Sequence, residues 1–276
     1  MTHAADIAKT RLQLGPVSIA YRRYGRSDAP TVLMLHGGAA HSGWWDEVAP
    51  RLATTHQVVV SDLSGHGDST HRTAYSAEAW AAEVAAVLEA TTDRPAAVVG
   101  HSMGGLIATA AAARSPRLVA ALVLVDTRLP LRGLPAPTKP ARLFGSESEA
   151  LDRFRLLPEH TNADAQLLRR LARDGLVETP DGWRWKFDPA ARRRLTNDGV
   201  RTDLGRVECP VAYMHGAKSD MGGPKSRRQL EQWLGRPVAA TVVPEAFHHV
   251  PLDQPAACAT AVRSLLDELE GGSAPR

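Results

Sequence analysis

Cysteine is nearly absent: Cys209 and Cys258 are the only two in 276 residues, and no C-x-x-C pair exists. That excludes a disulfide framework and a thiolate zinc knuckle, and two free thiols in apolar surroundings fit a reducing cytoplasm. Charge of one sign is also lacking, with 33 Lys and Arg against 30 Asp and Glu for a net +3. The basic residues are scattered except for Arg192-Arg193-Arg194, which reads as a solvated helix face, so no nucleic-acid partner is expected. No apolar run approaches the ~20 residues that span a bilayer. Met1 to Asp6 lacks the basic and apolar segments of a secretory signal, so a cytoplasmic protein without membrane insertion is expected. Phosphate-binding glycine loops are missing, which argues for no nucleotide cofactor. Metal sites are not expected either: no His-x-x-x-His spacing occurs, and adjacent His248 and His249 are expected to point apart. No repeat or low-complexity segment interrupts the chain.

What is present centres on Gly100-His101-Ser102-Met103-Gly104-Gly105. The apolar run Ala96 to Val99 precedes it and the Ala-rich stretch Leu106 to Ala113 follows. Strand, sharp turn and helix form the context that a G-x-S-x-G nucleophile elbow requires. Side chains at Gly100 and Gly104 would collide across such a turn, and Ser102 would be held at the N-terminus of the helix, where free amides favour an anion. A serine hydroxyl becomes nucleophilic only beside a base that is itself oriented by a partner. The chain offers a base late, at His248-His249 beyond a strand.

Around the elbow, buried apolar runs alternate with helical stretches. Thr10–Leu14 and Val17–Arg23 alternate in polarity across Gly15-Pro16 and predict an antiparallel hairpin. Thr31–Leu35, Val58–Asp62, Ala96–Val99, Leu118–Val125, Val211–Gly216 and Ala240–Val243 read as buried strands. Helices are predicted over Trp45–Leu52, Ser76–Thr91, Ser226–Leu234 and Gln254–Leu269. This alternation specifies an α/β, doubly wound, mostly parallel sheet with chemistry at the carboxyl ends of its strands. His36, Ser102 and Asp126 all fall at such ends. The rhythm breaks after Pro130, where a Pro-rich stretch precedes amphipathic segments at Glu147–Leu157, Ala163–Asp174 and Pro189–Asn197. Residues 129–201 are therefore expected to form a helical lid, with 1–128 and 202–276 as the core. The tail Gly271 to Arg276 is expected to fray.

The stretches Leu35-His36-Gly37-Gly38, Asp62 to Ser69, Gly100 to Gly105, Gly216 to Asp220 and His248 to Pro255 stand in an order that resembles the α/β-hydrolase superfamily. The resemblance is to its compact, lidded serine hydrolases, the esterase and cofactor-free haloperoxidase-like branch, and covers nearly the whole chain outside the lid. It implies an eight-stranded sheet, no cofactor, and a catalytic triad. By this likeness Ser102 is the nucleophile and His248, counted back from Pro251, is the base. Asp220 is the favoured acid, because Gly-x-x-Ser-Asp is a common acid loop, with Asp126 the alternative. The amides of Gly38 and Met103 are the implied oxyanion hole. His36 is expected to orient the oxyanion loop or border the pocket, and His41, Trp44, Trp183 and Trp185 are candidates for its lining. Asp62, Asp68 and Asp253 fit family loops without needing a catalytic part.

The activity implied is cleavage of an ester, thioester or lactone through an acyl-enzyme on Ser102. The expected partner is a small, largely apolar acyl substrate. Alternatives that share these residues are C–C bond hydrolysis and perhydrolysis, and a fourth reading is a non-catalytic small-molecule sensor. The serine at the elbow argues against the aspartate-dependent epoxide hydrolases and dehalogenases. Substrate identity and oligomeric state have no legible signal.

Overall fold

The structure, a computed structural model, describes residues 7–131, 142–191 and 195–271. Arg192-Arg193-Arg194, most of the Pro-rich stretch after Pro130 and the last five residues lie outside the described part.

The chain opens with β1 (Thr10–Leu14) and β2 (Val17–Tyr24), an antiparallel pair turning at Gly15, whose φ is +57°. Next come β3 (Thr31–Leu35), a 3-10 turn (Ser42–Trp45), α1 (Ala49–Leu52) and β4 (Gln57–Ser61). α2 (Ala77–Thr91) starts where the Ser76 hydroxyl accepts from the amide of Ala79, as a Ser N-cap does. β5 (Ala96–His101), α3 (Met103–Arg114) and β6 (Val119–Val125) form the elbow unit and its neighbour. The intervening segment contains α4 (Glu147–Asp152), α5 (Ala165–Asp174), β7 (Leu176–Thr179), β8 (Gly182–Trp185) and a short 3-10 turn (Pro189–Ala191). α6 (Asn197–Leu204), β9 (Val211–Gly216), α7 (Pro224–Leu234), β10 (Ala239–Val243), α8 (Val250–Asp253) and α9 (Pro255–Gly271) complete the chain.

Eight strands make one sheet in the order β1-β2-β4-β3-β5-β6-β9-β10, parallel except where β2 meets β1 and β4. The period-two alternation of side chains explains why the central strands are apolar throughout. Leu33, Leu35, Val98, Leu122 and Leu124 join the core under α2, α3, α6 and α7. Val32, Met34, Val99, Val123 and Val125 join the opposite core under α1 and α9. With both faces covered, the strand ends are the accessible route to the sheet's chemistry.

The segment expected to form a helical lid is not helical throughout. Trp183-Arg184-Trp185, placed between helices by the sequence reading, lies in a two-stranded antiparallel sheet of β7 and β8. The alternation of Trp and Arg is a period-two signal, and the pair packs with Phe144, Ala150, Leu151, Ala172 and Leu176 as a small separate core. The expected boundary at residue 201 also falls inside α6, whose Val200 and Leu204 belong to the sheet's own core.

Candidate active site

The elbow is built by exclusion. A Cβ on Gly100 would strike the carbonyl of Gly104, and one on Gly104 would stand 2.5 Å from the His36 carbonyl oxygen and 2.6 Å from that of Leu35. Only glycine lets β5, the turn and β3 approach this closely. The turn throws Ser102 to φ +52°, ψ −116°, a costly conformation for a non-glycine residue. Its backbone is locked from both sides: the amide donates to the Val125 carbonyl at 2.9 Å, and its carbonyl accepts from the Thr127 hydroxyl at 3.1 Å. Ser102 and Met103 are partly exposed at the start of α3, whereas His101 beside them is buried.

The loop carrying His248 docks directly on this turn. His101 Nε2 lies 2.9 Å from the His248 carbonyl oxygen, which can only accept, so that nitrogen carries the proton. His248 Nδ1 lies 2.5 Å from Asp126 Oδ2, and both side chains are buried. This contact reverses the preference between the two acids. Asp220 points to solvent with its side chain 82% exposed, and the His160 ring stands 4.0 Å from its carboxylate. Asp126 terminates β6 at φ +48° and is fully buried. Besides His248, it accepts from the Ser219 hydroxyl at 2.6 Å and from the amides of Gly216 and Gly222 at 3.2 Å each. The loop read as supplying the acid therefore supplies the donors that hold another one. A Cβ on Gly222 would overlap the Asp126 carboxylate, which accounts for the glycine.

The loop His36-Gly37-Gly38 lies alongside. A Cβ on Gly38 would be 3.6 Å from Met103 Sδ and 4.0 Å from Met103 Cβ, so Gly38 faces the Met103 side chain. His36 is wholly buried, with Nδ1 2.7 Å from the Gly37 carbonyl and Nε2 accepting from the Leu63 amide at 3.1 Å. It fastens the loop and does not border a pocket. Burial lowers its pKa to about 4, so it stays neutral near pH 7. His41 is likewise structural: Nδ1 accepts from the Gly43 amide, and Nε2 sits 3.0 Å from the Leu171 carbonyl of the lid.

Among the pocket candidates, Trp44 is beside His249 and His101. Its ring lies 5.2 Å from that of His249 and 6.3 Å from that of His101, and it joins an apolar patch of Ala40, Leu156, Leu167, Leu171 and Leu252. Trp183 and Trp185 are in the lid's own core, and Trp185 borders an open groove with Phe144, Arg142, Arg153 and Arg155 rather than with Ser102. Asp62 is buried, accepts from the amides of Ser42 and Asp68, and pairs with Lys9, which holds its carboxyl below the usual range. Asp253 bridges the 161–162 segment and the loop before His248, accepting from the Thr161 hydroxyl, the Asn162 amide and the Phe247 amide.

Sequence reading missed Thr127 and Ser219, which hold Ser102 and Asp126 respectively. Thr127 follows Asp126 directly, and Ser219 precedes the favoured Asp220, so the signal for each was adjacency to a candidate already in view. The expected divergence of His248 and His249 also fails. The turn entering α8, with His249 at φ −85° and ψ 52°, leaves the two ring centroids 5.1 Å apart. One nitrogen of each, and one of His101, lie within 4.8 Å of one another. The cysteines fit the sequence reading in part: Cys258 is buried and Cys209 half-buried, both unbridged, and burial pushes their thiols up to about 12 and about 11.

The profile of the alpha/beta hydrolase fold family matches residues 30–173. The chain belongs to the α/β-hydrolase family. It is 31% identical over 271 residues to esterase Rv0045c of Mycobacterium tuberculosis, covering 93% of this chain and 88% of that protein. It is 34% identical over 234 residues to a pimeloyl-acyl-carrier-protein methyl ester esterase of Chromobacterium violaceum, covering 79% and 87%. Among solved structures, the thioesterase domain from the curacin biosynthetic pathway superposes with a TM-score of 0.79 at 26% identity, over 93% of this chain and 99% of that domain. This α/β-hydrolase is an ester-cleaving hydrolase by type. No helix among its described residues is long and apolar enough to cross a membrane.

Proposed function

We propose that the protein cleaves a small ester with an apolar acyl group through an acyl-enzyme on Ser102, with His248 as base and Asp126 as acid. The observation that carries this reading is the buried 2.5 Å contact between His248 Nδ1 and Asp126 Oδ2, on a loop hydrogen-bonded to the elbow residue His101. A proton on Nδ1, held by a carboxylate, leaves the Nε2 lone pair free to accept the Ser102 proton. The hydroxyl oxygen then adds to the substrate carbonyl, and the amides of Gly38 and Met103 receive the oxyanion. One such donor contributes on the order of 2.7–4 kcal/mol to the chemical step. Proton transfer from His248 to the leaving alkoxide releases the alcohol, and a water deprotonated by the same nitrogen then hydrolyses the acyl-serine.

The acyl preference rests on the patch of Trp44, Leu156, Leu167, Leu171 and Leu252 beside the base loop, whose burial favours hydrocarbon over charge. A thioester substrate would pass through the same steps with a thiolate leaving group. The test is turnover of p-nitrophenyl esters of rising acyl length, of acyl thioesters and of lactones, against Ser102→Ala. Ester turnover lost by roughly 10⁴-fold or more in the variant is expected, and activity that survives in it would refute the reading.

A further inference from the structure

The 142–191 segment carries a groove that ester hydrolysis does not use. Arg142, Phe144, Arg153, Arg155 and Trp185 line a space of about 410 Å³, within the ~300–1,000 Å³ usual for small-molecule sites. Two backbone features build it. Phe144 exchanges amide–carbonyl bonds with Trp183 at 2.8 and 2.9 Å, which seats it beside β8. The Phe144 and Trp185 rings then meet edge to face, 6.1 Å apart, as one aromatic wall. Past α4 the chain alternates: Arg153 and Arg155 are exposed, whereas Phe154 and Leu156 turn into the apolar clusters. A period of two keeps both arginines on the same side, that of the groove.

The charge in this groove is poorly balanced. Among the described residues, Glu149 is the one carboxylate within 4 Å of these three guanidiniums, at 3.7 Å from Arg142 and 3.9 Å from Arg153. Its other oxygen accepts from the Gly145 amide at 3.0 Å. Nη1 of Arg155 donates to the carbonyls of Asp152 and Phe154, which are neutral. By contrast, Arg170 pairs with Glu47 and Arg173 with Glu147, each at 2.8 Å. Three guanidiniums thus share one space with a single, distant carboxylate.

We propose that this groove binds a small organic anion carrying phosphate beside a planar ring, a nucleoside di- or triphosphate in chemical class. A guanidinium fork meets phosphate oxygens two at a time. It also stacks on aromatic faces, and the Arg142 guanidinium already stands 5.2 Å from the Phe144 ring centroid. Positive charge alone would accept any anion, whereas the aromatic wall favours one that brings a ring. No glycine loop is needed, because side-chain forks rather than backbone amides take the phosphate. The site is independent of the catalytic reading, since Trp185 and Phe144 belong to a core apart from Ser102.

Calorimetry on the full chain, at low salt and without divalent cations, tests this with ADP, pyrophosphate, adenosine, phthalate and a polyglutamate peptide. One ADP per chain is expected, bound more weakly as salt rises. Pyrophosphate lacks the ring and adenosine the charge, so each should bind at least about tenfold more weakly than ADP. Arg153→Gln and Arg155→Gln should each weaken ADP binding roughly tenfold. Arg155→Lys keeps the charge without the fork and should recover only part of that loss. Glu149→Gln removes the competing carboxylate and should tighten binding. Arg173→Gln, whose arginine is paired elsewhere, should bind as the parent does. So should Ser102→Ala, whether or not the serine is catalytic. Absence of stoichiometric ADP binding, unchanged affinity in both arginine-to-glutamine groove variants, or an equal loss in Arg173→Gln would overturn the proposal. Pyrophosphate matching ADP would remove the ring from the ligand, and phthalate matching it would remove the phosphate; either refutes the class assigned. Polyglutamate binding more tightly than ADP would overturn it in favour of an acidic protein partner.

Discussion

The sheet and the lid answer to different constraints, and the contrast explains what each contributes. At the sheet's carboxyl edge, backbone geometry dictates residue type: Gly100 and Gly104 each stand where a Cβ would meet a carbonyl. Ser102 and Asp126 are held at positive φ by strands hydrogen-bonded on both sides. The lid packs a small core of its own, with Phe144, Leu151, Leu176 and the two tryptophans, against a short hairpin. It touches the site through a few tethers, such as Thr161 and Asn162 on Asp253 and the His41 ring on Leu171. Close backbone approach thus restricts residue type at the sheet's carboxyl edge, whereas the small core of the 142–191 segment is held by side-chain packing.

The largest expected effect separates two carboxylates in one neighbourhood. Asp126→Asn should lower kcat roughly 10⁴-fold, as loss of a triad acid does, whereas Asp220→Asn, on an exposed side chain, should stay within about twofold. Initial rates on one ester measure both, and equal losses would erase the distinction. Next in size is backbone fit. Gly104→Ala forces a methyl within 2.5 Å of the His36 carbonyl, and overpacking of that kind costs about 1–3 kcal/mol or more. A drop in Tm or loss of soluble protein is expected, and an unchanged Tm would show that β3 can yield.

Acid should then act through the core. Burial lowers the His36 pKa to about 4 and pushes His66 well below its ordinary value. Between the unfolded value near 6.5 and the folded one, the unfolded chain binds the extra protons. Stability is therefore full above pH 6.5 and declines as pH falls toward 4, by at most about 1.4 kcal/mol per pH unit for each histidine. Urea midpoints from pH 7.5 to 5 check this, and a flat series would contradict it. The smallest effect belongs to the lid: Trp185→Ala, in a half-buried position away from Ser102, should cost roughly 1–2 kcal/mol. Turnover of a short-chain p-nitrophenyl ester should change less than threefold. A large loss on that substrate would place the lid core nearer the chemistry than its packing indicates.

These differences also account for what could be read in advance. The sharp strand-turn-helix at Ser102 and the buried strands were legible because each is a local pattern whose residue types follow from sterics or period. The choice between Asp126 and Asp220 was not, because it depends on which strand end lies under a histidine more than 120 residues away. Ser219 and Gly222 look like part of an acid loop from the sequence, and only the fold shows them donating to Asp126. The convergence of His248 with His249 depends on one backbone turn. The lid hairpin had a legible alternation in Trp183 and Trp185, obscured by the helical stretches on either side.

The central claim is that the Ser102 hydroxyl is the activated nucleophile. Treatment with a fluorophosphonate, followed by intact-protein and peptide mass spectrometry, tests it directly. The account predicts one phosphonyl group per chain, carried on Ser102 and absent from Ser102→Ala. A protein that hydrolyses esters yet stays unlabelled, or carries the label on another residue, would contradict it.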